Sequence, residues 1–257
     1  MKKESENRQS SALFEGMTSL RAVLYAMDNK VSNRKIASLF FDRTKQDKKQ
    51  GELSYIRKMS DIYGFPVILS KPEYIDSLAL GTSHGGVVFE CTERTVPELS
   101  ADMLIPDGFY VMLEGIEDPY NFGYALRSLY AAGIDGAVLS PRNWMSAAGV
   151  VCRSSAGASE KLTLFQSDAQ KAAAIFRTAG YKTVCAGIRN SVSSFDADLR
   201  KPIFLIVGGE RRGISAKVLE LADEIVRLDY GRDFSGSLSA ASAASILGYE
   251  VLRQNRK

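Results

Sequence analysis

Three stretches of this 257-residue chain set glycines beside charged, amide or hydroxyl side chains. "LEGIEDPYNFGYALRSLYAAG" (113–133) carries Asp118, Asn121, Gly123 and Arg127. "FLIVGGERRGIS" (204–215) runs from four apolar residues into Gly208, Gly209, Glu210, Arg211 and Arg212. "VRLDYGRDFSGSLSAAS" (226–242) holds Leu228, Gly236, Ser237, Leu238 and Ser239. Glycines at a strand end let a ligand touch backbone, and a guanidinium can grip an oxyanion with two parallel hydrogen bonds. Taken singly, each stretch is also sound local punctuation: Asp-Pro before Asn starts a helix, a serine caps one, and Gly-Gly turns the chain.

Several chemistries lack their residues. There is no G-x-x-x-x-G-K-[ST] phosphate loop and no G-x-G-x-x-G turn. His84 is the sole imidazole, so a His-based metal site is excluded and a Ser–His–Asp triad would have to reach between domains. Cys91, Cys152 and Cys185 stand far apart with no metal-ligand spacing, and neither disulfides nor a metal is expected. No apolar run approaches the roughly 20 residues that span a bilayer. The start, MKKESENRQSS, lacks a secretory apolar stretch, so a cytoplasmic protein without membrane contact is expected.

The formal charge is only +3, but the whole excess falls in residues 1–92 and concentrates between Lys30 and Lys58. Arg34, Lys35, Lys45, Lys48 and Lys49 are the candidates there for polyanion contact. The same run also fits a solvated helix face. His84, in the glycine turn "GTSHGG", fits either a turn residue or a polyanion contact.

Periodicity supplies the elements that must carry these groups. After a polar start (1–12, expected to be disordered), "GMTSLRAVLYAM" and "ELSYIRKMSDIYGF" read as helices, and "KIASLFFD", "PVILS" and "VVFECTE" as strands. This small α/β unit (13–92) is followed by a linker (93–107) and a second α/β series (108–257). There "FYVMLEGI", "GAVLS", "KTVCAG" and "IFLIVGG" alternate with helical "NFGYALRSLYAAG", "AQKAAAIFRTAG" and "SAKVLELAD", ending in a long helix over "SLSAASAASILGYEVLRQN". The expected class is α/β, with a parallel sheet covered by helices on both faces and ligands beyond the carboxyl ends of its strands.

In this order and spacing the three stretches resemble the SpoU/TrmH family of RNA ribose 2′-O-methyltransferases, within the knotted methyltransferase class. "EDPYNFGYALRSLYAAG", "VGGERRGIS" and "GSLSAASAASILGYE" match its three motifs, "RSSAGASE" (153–160) matches a further family stretch, and "GTSHGGVVFE" is similar to the H-x-G turn of its RNA-binding domain. The likeness covers roughly residues 108–257. It implies a C-terminal deep trefoil knot and bound S-adenosylmethionine. It also implies a homodimer through the knot, and RNA as substrate, ribosomal rather than transfer RNA. By motif position the cofactor would meet Gly208, Gly209, Leu228 and Leu238, while Arg127, Asn121, Glu210, Ser237 and Ser239 would form the catalytic set. Arg211 and Arg212 would meet RNA at the rim. The chain departs from the pattern where Ser239 replaces an asparagine and Asp229-Tyr230 replace Pro-Met. Two alternatives stay open: a transfer-RNA methyltransferase, and a noncatalytic RNA-binding or ribosome-assembly factor of the same fold.

Overall fold

The computed structural model describes residues 12–141, 147–209 and 213–256. These fall into two compact units, 12–95 together with 147–161, and 96–141 together with 162–256. Residues 1–11, most of the segment expected to be disordered, lie outside the described residues, and Ala12 already opens a strand.

The first unit holds a four-stranded sheet of β1 (Ala12–Glu15), β2 (Ile36–Asp42), β3 (Val67–Ser70) and β4 (Val87–Cys91), in the order β1-β4-β2-β3. Side chains alternate across a strand, so the neighbours Phe40 and Phe41 serve two faces. Phe41 joins Phe14, Leu39, Ile56 and Phe89 in the main core, whereas Phe40 packs with Ile75 and Val88. Helices α1 (Gly16–Asp28), α2 (Gln50–Tyr63) and α3 (Pro72–Leu78) complete this part. The amphipathic stretch of α2 buries Leu53 and Ile56 and stops at Gly64, whose φ of 75° is a left-handed cap that favours glycine.

Of the next three helices, α4 (Pro119–Ala131) belongs to the second unit, while α5 (Ala148–Ser154) and α6 (Ala158–Lys161) pack in the first. The sequence reading runs a single domain from 108 to the C-terminus, so this placement of "RSSAGASE" is new. Its residue types explain it. Cys152 is fully buried in the first unit's core, and a Cβ on Gly149 would run into the Leu13 carbonyl. Arg34 Nε donates to Glu160 Oε2 at 3.2 Å, with both side chains buried.

The second unit is a seven-stranded sheet. Its strands are β5 (Phe109–Glu114), β6 (Gly136–Leu139), β7 (Leu164–Gln166), β8 (Lys182–Ala186), β9 (Val192–Ser193), β10 (Ile203–Gly208) and β11 (Glu224–Arg227). Their order is β7-β6-β5-β10-β8-β11-β9 and every pairing is parallel. On one face Tyr110, Met112, Phe204 and Ile206 pack against α7 (Ala169–Thr178) and α8 (Ala216–Leu219), with Phe176 stacked on Phe204 at 3.9 Å between ring centroids. The alternate residues Phe109, Val111, Leu205 and Val207 are equally buried, so the opposite face is covered too. On α4 and α9 (Ala240–Asn255) the packing is close: a Cβ on Gly248 would lie 2.8 Å from Leu129 Cδ2. The α/β class with a helix-flanked parallel sheet is as expected. Strands β7 and β9, of three and two residues, were not read from the sequence.

Candidate functional site

Chain order and sheet order diverge in the middle of the second unit. The strands β5, β6 and β7 step outward in one direction, and β10 lies between β5 and β8, both earlier in the chain. In open parallel sheets the crevice for a ligand forms beyond the carboxyl ends of the strands at such a reversal. There the structure has a cavity of about 670 Å³, lined by the ends of three neighbouring strands: Val207 and Gly208 of β10, Ala186 of β8, and Val226 and Arg227 of β11.

Four residues expected at a cofactor site, Gly208, Gly209, Leu228 and Leu238, all line this cavity, as does Ser237. The segments supplying them are separated by up to 30 residues and meet only through the sheet. The glycines have a second reason to be glycine. A Cβ on Gly208 would sit 2.5 Å from the Gly213 carbonyl carbon, and one on Gly209 would strike the Gly115 carbonyl oxygen. The Gly209 N–H donates to the Glu114 carbonyl at 2.6 Å and the Gly213 N–H to the Gly209 carbonyl at 3.0 Å. Thus the loops after β5 and β10 are closed on each other, backbone to backbone. Burial, followed by the charge of Asp168, pushes the Glu114 carboxyl above the usual range.

The rest of the wall suits a nucleoside with a charged tail. Ile188, Ile214, Leu219, Ile225, Leu228, Leu238 and Leu247 are apolar, Gly187, Gly213 and Gly236 expose backbone, and Arg189, Arg227 and Asp229 bring charge. The volume falls within the roughly 300–1,000 Å³ typical of small-ligand sites. S-adenosylmethionine, with a flat base, a ribose and an amino-acid end, therefore fits the residues present. Among the described residues no cluster of His, Cys, Asp or Glu is placed to hold a metal.

The other candidates are placed differently. Ser239 does not line the cavity; its Oγ caps α9, accepting from the Ser242 N–H at 3.1 Å. Arg127 and Asn121 lie on α4 and neither lines the cavity. The Arg127 side chain is exposed, on the same helical face as exposed Tyr120 and Tyr124. Glu210, Arg211 and Arg212 lie outside the described residues.

In the first unit two candidates for RNA contact are internal. Arg34 is 5% exposed, ion-paired to Glu160, bonded to the Thr92 carbonyl at 2.7 Å and stacked over the Phe14 ring. His84 is equally buried: its Nδ1 accepts from the Gly86 N–H at 3.1 Å, and its Nε2 lies 3.1 Å from an Asp76 carboxylate oxygen. Both hold their own unit together, contrary to the RNA-contact expectation, because burial leaves them no surface to offer. Lys35 and Lys48 are exposed; Lys45 pairs with Asp42 at 3.3 Å and Lys49 with Glu52 at 3.0 Å.

Sequence reasoning missed the third strand end. "KTVCAGIRN" repeats the pattern of an apolar strand, a glycine and a charge, and it delivers Gly187, Ile188 and Arg189 to the wall. That recurrence was the available signal.

Known proteins agree with this geometry. The profile of the SpoU rRNA Methylase family matches residues 108–249. A 23S rRNA (guanosine-2′-O-)-methyltransferase of Shewanella oneidensis is 26% identical over 234 residues, spanning 88% of this chain and 93% of that protein. The human mitochondrial rRNA methyltransferase 1 is 27% identical over 268 residues, with 95% and 73% covered. Among solved structures, an AdoMet-bound rRNA methyltransferase from Sinorhizobium meliloti superposes with a TM-score of 0.77 at 22% identity, covering 95% of this chain and 87% of its own. The AviRb methyltransferase of Streptomyces viridochromogenes, in complex with AdoMet, gives 0.77 at 21% identity, with 96% and 91% covered. With residues of its second and third motifs lining one strand-end cavity, and more than half its length matched by the profile, this chain belongs to the SpoU rRNA Methylase family.

Proposed function

We propose that the protein transfers the methyl group of S-adenosylmethionine to a ribose 2′-hydroxyl of RNA, with ribosomal RNA as the substrate, in the cytoplasm. The observation that carries this reading is the single cavity that gathers Gly208, Leu228 and Leu238 at adjoining strand ends. The names of the Shewanella and human relatives support the choice of ribosomal RNA.

The cofactor, when bound, supplies a methyl group already activated by its positive sulfur. The protein's part is to hold, orient and polarise. The backbone around Gly208 and Gly209, closed by its own hydrogen bonds, forms the wall against which the cofactor lies. Arg127 acts as a donor to the ribose oxygen and a neighbouring phosphate, stabilising negative charge as the hydroxyl loses its proton. A guanidinium stays protonated at any ordinary pH, so it is a clamp rather than a base. By motif position Glu210 orients this arginine, with Asn121 and Ser237 beside the reacting groups.

The working form in this reading is a homodimer. Arg127 is not among the residues that line the cavity of its own chain and sits on a face of α4 with exposed Tyr120 and Tyr124, while α9, packed beside α4, exposes Ile246, Tyr249 and Leu252. Pairing these faces would cover apolar surface and bring a partner's arginine to the site. The same reading implies the deep knot. Its support is that β10 and β11 each lie between strands laid down earlier in the chain.

Mapping of ribose methylation across total RNA, with and without the gene, tests the proposal. Loss of one 2′-O-methyl mark in ribosomal RNA supports it, and loss in transfer RNA moves the substrate to that class. One observation favours the noncatalytic alternative: Ser239, which replaces the family asparagine, is spent on the helix cap. An unchanged methylation map together with no calorimetric binding of S-adenosylmethionine would establish that alternative.

A further inference from the structure

The missed third strand end carries an arginine that the reading above does not use. The turn at 188–191 is built with care for a surface loop. Asn190 adopts a φ of 50°, in the left-handed region. Ser191 Oγ donates to the Ile188 carbonyl at 2.6 Å, and Arg227 Nη1 donates to the Ser191 carbonyl at 2.7 Å. Arg227 is held in turn by Asp229, Nε to Oδ1 at 2.8 Å, and Asp229 also accepts from Ser193 Oγ. The tie uses Asp229, one of the three residues at which the chain leaves the family pattern.

This turn puts Arg189 on the cavity wall with its side chain exposed. Among the described lining residues the other cation, Arg227, is paired with the one anion, Asp229. Arg189 has no ion pair with any described residue. A cavity that takes an adenosine by backbone and apolar contact thus has, among its described lining residues, one cation without an ion pair. The matching group on the proposed cofactor is the carboxylate of its amino-acid end, since its sulfonium and ammonium would both be repelled. Guanidinium and carboxylate are complementary in plane and spacing.

We propose that Arg189 binds the carboxylate of S-adenosylmethionine, and that Asp229, acting through Arg227, is a positioning residue for the turn that presents it. The inference rests on the cofactor assignment above. RNA phosphate is the other source of negative charge that could reach this rim, and the test separates the two.

The intact protein is titrated calorimetrically with S-adenosylhomocysteine and with S-adenosylthiopropylamine, which keeps the thioether and ammonium but lacks the carboxylate. Arg189→Ala is expected to weaken the first about tenfold and to leave the second unchanged, with Arg189→Lys intermediate. Asp229→Asn should weaken S-adenosylhomocysteine in the wild-type background and add nothing to Arg189→Ala, a non-additivity that a general loss of stability does not produce. Equal losses for both ligands, or no loss for either, overturn the proposal. So does a loss confined to binding of a single-stranded 12-nucleotide RNA, which would give Arg189 to phosphate. If the unaltered protein binds neither adenosine ligand, the cofactor assignment fails, and this inference with it.

Discussion

Gly208 and Gly213 meet face to face above the end of β10: a methyl group on Gly208 would lie 2.5 Å from the Gly213 carbonyl carbon and 2.7 Å from the Ile214 nitrogen. The loop after the strand folds back on the strand itself. The cofactor wall and the chain's own packing therefore depend on the same missing side chain.

Gly208→Ala should cost about 1–3 kcal/mol, the usual penalty for forcing a methyl group into packed backbone, and should also lower affinity for S-adenosylhomocysteine. Gly231→Ala is the control, because a Cβ there meets nothing within 4 Å and the residue is exposed. It should change stability by no more than about 0.5 kcal/mol. Urea denaturation and calorimetry measure the two effects.

Arg127→Ala should reduce kcat by roughly 10²–10³, the range seen when one charge-stabilising donor is removed, while cofactor affinity stays constant. If the arginine acts across a dimer, co-expression with Gly208→Asp should restore part of the activity. One of the two sites in each mixed dimer then has both an intact cavity and an intact arginine. Methyl transfer to ribosomal RNA from a strain lacking the gene is the readout. No recovery above the single variants would place the arginine in its own chain's site.

Arg34 and Lys35 are neighbours with opposite fates. Arg34→Ala breaks a buried ion pair, leaving Glu160 only the nearby charge of Arg94, and should destabilise the protein by up to about 3–5 kcal/mol. Lys35→Ala and Lys48→Ala should leave stability nearly unchanged and each reduce the salt dependence of RNA binding, by a slope of about 1. Denaturation curves and filter binding between low and high salt separate the two kinds of arginine and lysine.

The three cysteines are free and buried, and burial pushes their thiols up, Cys185 to about 12. A group whose proton is held more tightly in the folded state contributes stability below its unfolded pKa, near 8.5. That contribution is lost as pH rises from there through the folded value. Stability should accordingly fall between about pH 8.5 and 12, and Cys185→Ala should flatten that fall. Iodoacetamide at pH 8 should label none of the three until the protein unfolds, as mass spectrometry would show; rapid labelling of the native protein would contradict this burial.

Local pattern was enough for much of the architecture. The apolar runs that became β5, β8 and β10 are four residues or more with β-branched or aromatic content, and α2 declares itself by period and by its closing glycine. The three motifs were legible because each lies in one short stretch, and all four residues expected at the cofactor site do line a single cavity.

What local pattern could not reach were the partners. "RSSAGASE" looks like part of the second domain by position, yet its acid, Glu160, answers Arg34, 126 residues away. Arg34 and Lys35 have the same charge in sequence, and only the packing of α6 turns one into an interior ion pair. Gly208 reads equally as a ligand's landing place and as a tight turn, and the approach of Gly213 makes it both. Charge, period and motif are properties of neighbours along the chain. Burial and pairing are properties of neighbours in space: the packing of α6 decided them for Arg34, and the sheet order β5-β10-β8-β11 decided which residues line the cavity.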